Sequence, residues 1–175
     1  MEFLRDMIKQ DADRIIIIAH SMGTRVLSHG LVDLAAQDEE AAKKITRVIL
    51  AAPDIDARVF KERLLPKFDF LVNPITLYAS DKDTALAASK KVNGLPRIGD
   101  VLRNKGGIEA LDNVVMIDAS DVKSNLLNHT YFGDSVSIVD DFKSIVSGPL
   151  DAESRIKTLT RLSAAPIQRW KVLGK

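Results

Sequence analysis

The apolar positions of the chain follow two rhythms, and the sharpest change between them falls at Ile15–Gly23. Ile15-Ile16-Ile17-Ile18 is an unbroken β-branched run, stiff and apolar towards both sides, which predicts a strand buried in a parallel sheet. Directly after Ser21 the rhythm turns helical, with Val26, Leu27, Leu31 and Leu34 recurring up to about Gln37. Ahead of the strand, Phe3, Leu4, Met7 and Ile8 share one face of a short helix over 2–10. Further strands are predicted at 45–52, 75–79 and 114–117, the last ending at Asp118. Between them lie a helix capped by Asp56 and carrying Val59, Phe60 and Leu64, an irregular stretch over 66–74, and a helix from Thr84 to about Val92. Residues 93–112 read as a long loop with a short helix, and Val136, Val139, Phe142 and Val146 as one more helix face. After Asp151 the chain turns basic, with Ile156, Leu159 and Leu162 at helical spacing before a tail around Trp170.

Strands alternating with helices predict an α/β fold, a mainly parallel sheet with helices on both faces. The expected organisation is an α/β unit over 1–150, followed by a basic C-terminal helix and tail over 151–175. A chain of 175 residues is the size of one domain and can bury a proper core. The formal net charge of +1 gives no reason to expect nucleic acid or an anionic surface as a partner. The chain contains no cysteine, which excludes disulfides, thiolate metal sites and cysteine nucleophiles and fits a reducing compartment such as the cytoplasm. No run reaches membrane-spanning length, and acids interrupt the apolar residues at the N-terminus, unlike a signal peptide.

The strand-to-helix junction holds a serine between small residues, Ala19-His20-Ser21-Met22-Gly23. A turn this tight forces its apex into sparsely populated backbone angles, and Ala19 and Gly23 are small so that strand and helix can approach. Those are the mechanics of a nucleophile elbow. A serine needs a base, usually a histidine oriented by a carboxylate. Of the three histidines, His20 adjoins the serine and points to the other side, and His29 lies about two turns along the helix. Both are assigned structural roles, which leaves His129, in a loop after the last strand, as the base. For the acid, Asp81 and Asp83 compete, each equally well explained as a helix cap. The loop position favours Asp83, and Asp118 is weaker because it ends the strand that delivers the histidine. The order Ser21, Asp83, His129 is that of α/β-hydrolases. The Met22 N–H, at the start of the helix, would stabilise an oxyanion; the source of a second donor is missing. Arg97 and Asp100 read as a surface ion pair or loop anchor rather than as residues that shape the mouth of a pocket, and no role is assigned to them.

Six segments together resemble the bacterial DUF900 group of α/β-hydrolases: residues 17–23, 50–56, 77–80 with Asp83 beyond, 94–100, 117–120 and 129–132. The resemblance spans about Phe3 to Ile145. It implies the α/β-hydrolase fold and a serine-esterase-like site, with Ser21 as nucleophile, Asp83 as acid and His129 as base. By the same resemblance the chain corresponds to the C-terminal part of the fold, lacking the strands that precede the elbow strand. The isoleucine strand is then an apolar edge in need of cover, by a separate segment or by self-association.

The function expected is hydrolysis of an ester or related acyl compound through an acyl-enzyme, with a small-molecule substrate and no metal or organic cofactor. The alternative is a non-catalytic, truncated hydrolase domain, a remnant or an association module that needs the absent strands. The lack of a glycine-rich loop and of a lysine after Gly23 argues against a nucleotide- or phosphate-binding domain.

Overall fold

The computed structural model describes residues 2–103, 111–122, 135–148, 159–161 and 169–172. Each β-branched run forms a strand: β1 (Ile15–His20), β2 (Ile45–Ala51), β3 (Ile75–Ala79) and β4 (Val114–Asp118). They pair in parallel in the order of the chain, with Ile18 beside Ile49, Leu50 beside Leu77 and Tyr78 beside Ile117. Two short strands from the C-terminal stretch extend the sheet, β5 (Leu159–Arg161) and β6 (Arg169–Val172). β6 lies parallel to β4 and β5 antiparallel to β6, giving the order β1-β2-β3-β4-β6-β5.

The expected C-terminal helix is therefore corrected to strand within the described residues. Arg169-Trp170-Lys171-Val172 alternates polar and apolar residues, the period of a strand. The backbone groups on the far side of β4 also need partners, which β6 supplies.

The helices follow their caps. α1 (Glu2–Ile8) precedes β1, and α2 (Met22–Gln37) leaves it directly. Asp38 caps the short α3 (Glu39–Ala42). Asp56 accepts hydrogen bonds from the Arg58 and Val59 N–H groups, both 2.9 Å, and so starts α4 (Ala57–Val59). That turn continues as a π-turn over Phe60–Leu64 and a 3-10 turn over Leu65–Lys67. α5 (Thr84–Asn93) stops at Gly94, whose φ of 72° is the left-handed helix end that glycine adopts without strain. A 3-10 turn covers Ile98–Arg103, and α6 (Val136–Ser147) is capped by Ser135.

Both faces of the sheet are covered. On one, Ile45, Val48, Leu50, Ile75, Leu77, Val114 and Met116 pack under Leu27, Leu31 and Leu34 of α2 and under Phe60, Leu64 and Phe68. On the other, Ile49, Tyr78, Val115 and Ile117 meet Leu86 of α5 and Ile138 and Ile145 of α6. There the Tyr78 hydroxyl donates to the Asp141 carboxylate, both residues fully buried, and the Tyr78 ring stands edge-on to Phe142 at 5.1 Å.

Three helix faces differ from expectation: on α1, Phe3 is 73% exposed while Leu4 and Ile8 are buried. Val26 is 76% exposed, while Thr24 and Ser28 are buried beside Leu27 and Leu31. On α6, Val136 and Val146 face outwards and the buried side is Ser137, Ile138, Asp141 and Ile145. The helix is turned so that a carboxylate faces the core, where the tyrosine hydroxyl satisfies it.

β1 is also less buried than its four isoleucines suggest. It stands at the end of the strand order with Ile18 44% exposed, because its outer edge carries no partner strand among the described residues.

Candidate active site

Ser21 sits between the last residue of β1 and the first of α2 with φ 51° and ψ −128°. A non-glycine residue in such a conformation costs about 1–3 kcal/mol and persists only where its surroundings hold it. The holding groups belong to β2 and its following loop. The Ser21 N–H donates to the Ala51 carbonyl at 3.0 Å. The Ser21 carbonyl accepts the Thr24 N–H at 3.1 Å, the Thr24 hydroxyl, and the Asp54 N–H at 3.3 Å. The Ser21 side chain makes no capping bond to α2. The Met22 N–H thus opens an uncapped helix, where orphan donors and the helix dipole both favour negative charge.

Gly23 does not bear out the close approach expected of it. A Cβ built there meets nothing within 4 Å among the described residues. With β1 at the sheet edge, no described backbone crowds that side of the turn.

The loop after β3 carries both candidate acids. Asp83 is fully buried; its Oδ1 accepts the Leu86 N–H at 2.9 Å, so it is the N-cap of α5. Asp81 is half-buried, and its N–H donates to Ser120 Oγ at 3.0 Å. Asp118 Oδ1 accepts the Ser120 N–H at 2.9 Å and so shapes the neighbouring loop. Ser21 and Asp83 therefore stand at the carboxyl ends of β1 and β3, with β2 between them. At the usual strand spacing this separates them laterally by roughly 10 Å. His129 lies outside the described residues. His20 is half-buried at the end of β1, and His29 is exposed on α2.

Between the two loops runs a strap, residues 94–100, that sequence reasoning left without a role. It lies antiparallel along 53–57: the Ala57 N–H donates to the Pro96 carbonyl at 2.9 Å, Ile98 to Ile55 at 2.9 Å and Gly99 to Pro53 at 3.1 Å. Its other side accepts the Ser80 N–H at the Gly99 carbonyl, 3.1 Å, one residue before Asp81. Arg97 and Asp100 are buried, which corrects the surface reading and supports that of a loop anchor. Arg97 Nε lies 3.0 Å from Asp54 Oδ1, which also accepts from Ser89 Oγ at 2.7 Å, and Asp100 lies 3.6 Å from Lys90 Nζ. Asp54, Ser89 and Gly99 carried no individual role in the sequence reading, although 50–56 and 94–100 are two of the segments on which the resemblance rests.

Among the described residues no group of three or more His, Asp or Glu is arranged to hold a metal ion, and no helix is long and apolar enough to cross a membrane. No curated protein and no solved structure matches the chain. The family described as "Alpha/beta hydrolase of unknown function (DUF900)" matches residues 1–147. A buried parallel sheet that delivers a strained serine at the junction of its first strand and helix agrees with that match, and the chain belongs to the DUF900 family of α/β-hydrolases.

Proposed function

We propose that the chain is a serine hydrolase acting on an ester or related acyl compound, with residues 1–150 as its catalytic unit. The observation that carries this reading is the backbone of Ser21, held at φ 51° on a strand-to-helix turn with its hydroxyl uncommitted to capping. Strain of that kind gathers where a side chain must be presented rather than packed.

Ser21 Oγ attacks the acyl carbonyl while His129 takes its proton. The tetrahedral intermediate collapses, the leaving alcohol departs with that proton, and water repeats the sequence to free the acid. The Met22 N–H holds the oxyanion, and Asp83 orients the imidazole. Burial favours Asp83 over Asp81 for that role, since a carboxylate shielded from water exerts more pull on an imidazolium than a half-solvated one. The substrate is a small acyl compound, no metal or organic cofactor takes part, and the cysteine-free chain suits the cytoplasm.

Labelling with a fluorophosphonate probe, read by intact mass and peptide mapping, tests this. Modification at Ser21 that disappears in His129→Ala supports it; a folded protein that takes up no probe refutes it for this chain on its own. Asn caps helices as well as Asp does, so Asp83→Asn keeps the start of α5 and isolates the loss of charge. It should abolish labelling, whereas Asp81→Asn should not.

The open edge of β1 favours a second reading, a domain that is inactive unless that edge is covered. Ile18, Met22 and Val26 are 44%, 71% and 76% exposed along it. A folded, unlabelled chain with these residues open to solvent is the result that selects this reading.

A further inference from the structure

We propose that Asp54 and Arg97 are positioning residues for the elbow: the buried Asp54–Arg97 pair fixes the backbone of Ser21 and Met22 through the Asp54 N–H. This rests on the reading of Ser21 as nucleophile only for its effect on rate; its effect on geometry stands apart.

The carbonyl of Ser21 is the hinge of the turn, since its orientation sets that of the Met22 N–H in the same peptide plane. One hydrogen bond to that carbonyl reaches it from outside α2, from the Asp54 N–H at 3.3 Å. Asp54 follows a residue pair with little freedom: Ala52 has φ 45° and is fully buried, and Pro53 has a locked φ. Its carboxylate is clamped on two sides, by Ser89 Oγ of α5 at 2.7 Å and by Arg97 Nε of the strap at 3.0 Å. Those side chains of Arg97 and Asp54 are 8% and 14% exposed, so the pair is little screened by water. The strap cannot drift, because Gly99 lies flat against the Ala52–Pro53 backbone and accepts from Ser80 at the start of the acid loop. One small assembly thus references the serine's peptide and the acid's loop to the same strap. A surface loop anchor would need neither a buried arginine nor a link to the elbow carbonyl.

The test is amide exchange and chemical shift on the 15N-labelled full chain, with probe labelling of Ser21 alongside. In Arg97→Ala and Asp54→Asn, the Asp54 amide should exchange at least about tenfold faster, and the Ser21 and Met22 amide resonances should move. Probe labelling should slow about ten- to a hundredfold, as a small misplacement of a reacting group does. Arg97→Lys should restore part of each change. Arg47 is a buried arginine nearer the amino end of β2 whose Nη2 donates to the Gly148 carbonyl at 3.0 Å. Arg47→Ala should weaken the fold without altering the three elbow signals. If Arg97→Ala does not fold, Ser89→Ala should produce the same changes in smaller degree. A folded variant of Arg97, Asp54 or Ser89 in which the Asp54 exchange rate and the Ser21 and Met22 resonances stay as in the wild type overturns the proposal. A wild-type chain that takes no label refutes the hydrolase reading instead, and the exchange and shift data still decide this one.

Discussion

Two glycines lie close to the elbow in space, and the structure predicts opposite effects on stability when each becomes alanine. At Gly99 a Cβ would stand 2.7 Å from Leu86 Cδ1, 2.9 Å from the Pro53 nitrogen and 3.0 Å from the Ala52 carbonyl carbon. The leucine can swing away, but the other two atoms are backbone, and Ala52 is already held at φ 45°. The strap must lift. Overpacking of this kind costs about 1–3 kcal/mol. Lifting also stretches the Gly99 N–H bond to Pro53 and the Ser80 N–H bond to Gly99, each contributing about 1 kcal/mol. Gly99→Ala should therefore lose about 3 kcal/mol. For a chain of this size that lowers the melting temperature by about 6–12 °C. Gly23→Ala meets nothing within 4 Å among the described residues and lies in the first turn of a helix, where alanine gains up to about 1 kcal/mol over glycine. Urea unfolding followed by circular dichroism measures both. A Gly99→Ala midpoint within about 0.5 kcal/mol of wild type would show that the strap does not bear on the Ala52–Pro53 backbone. A Gly23→Ala loss of about 2 kcal/mol or more would show that the turn is crowded after all.

Three further outcomes are expected. A double-mutant cycle on Tyr78→Phe and Asp141→Ala should return a coupling of about 1.5–3 kcal/mol, the range for a hydrogen bond to a carboxylate; coupling near zero would remove the bond as the reason for α6's rotation. Asp56→Ala should cost about 1 kcal/mol, because one carboxylate oxygen serves two N–H groups at the start of α4, and Asp56→Asn should recover most of it in the same unfolding experiment. Ile18→Lys should leave the unfolding midpoint nearly unchanged and reduce light scattering in concentrated samples, since a charge on an open strand edge opposes edge-to-edge pairing; a midpoint loss of several kcal/mol would mean that Ile18 is covered.

The strands were legible because β-branched runs bounded by Pro, Asp and Ser admit few other structures, and β3 spans the five residues expected of it. The extent of α2 and the capping by Asp56 were legible for the same local reason. What local pattern does not carry is the environment on each side of an element. Val26 and Val136 continue apolar stripes yet face outwards, and Asp141 interrupts one yet faces the core, because a hydroxyl on another strand receives it. Leu159 fits a helical spacing and lies in a strand, where the edge of β4 decides through β6. At the site, the strained angle of Ser21 follows from two rhythms meeting at one residue, so it was readable. Among the described residues Gly23 is not crowded, whereas Gly99, 76 residues further on, is. Such an approach depends on how a distant loop docks, which spacing along the chain does not encode. The deeper burial of Asp83 relative to Asp81 likewise depends on the fold as a whole.

The order of the strands bears on how the molecule is made. β1, β2, β3 and β4 lie side by side in the sequence in which a ribosome delivers them, so each new strand docks on the one before and the sheet widens in a single direction. α2 follows β1 at once and shields the first face early. α6, which closes the second, begins only at Val136. Until then Ile49, Tyr78, Val115 and Ile117 are without the Ile138 and Ile145 side chains that seal them. The nascent chain thus passes through a stage with one wall finished and the other sticky. Apolar surface left open at such a stage is what makes a partly folded chain prone to aggregate.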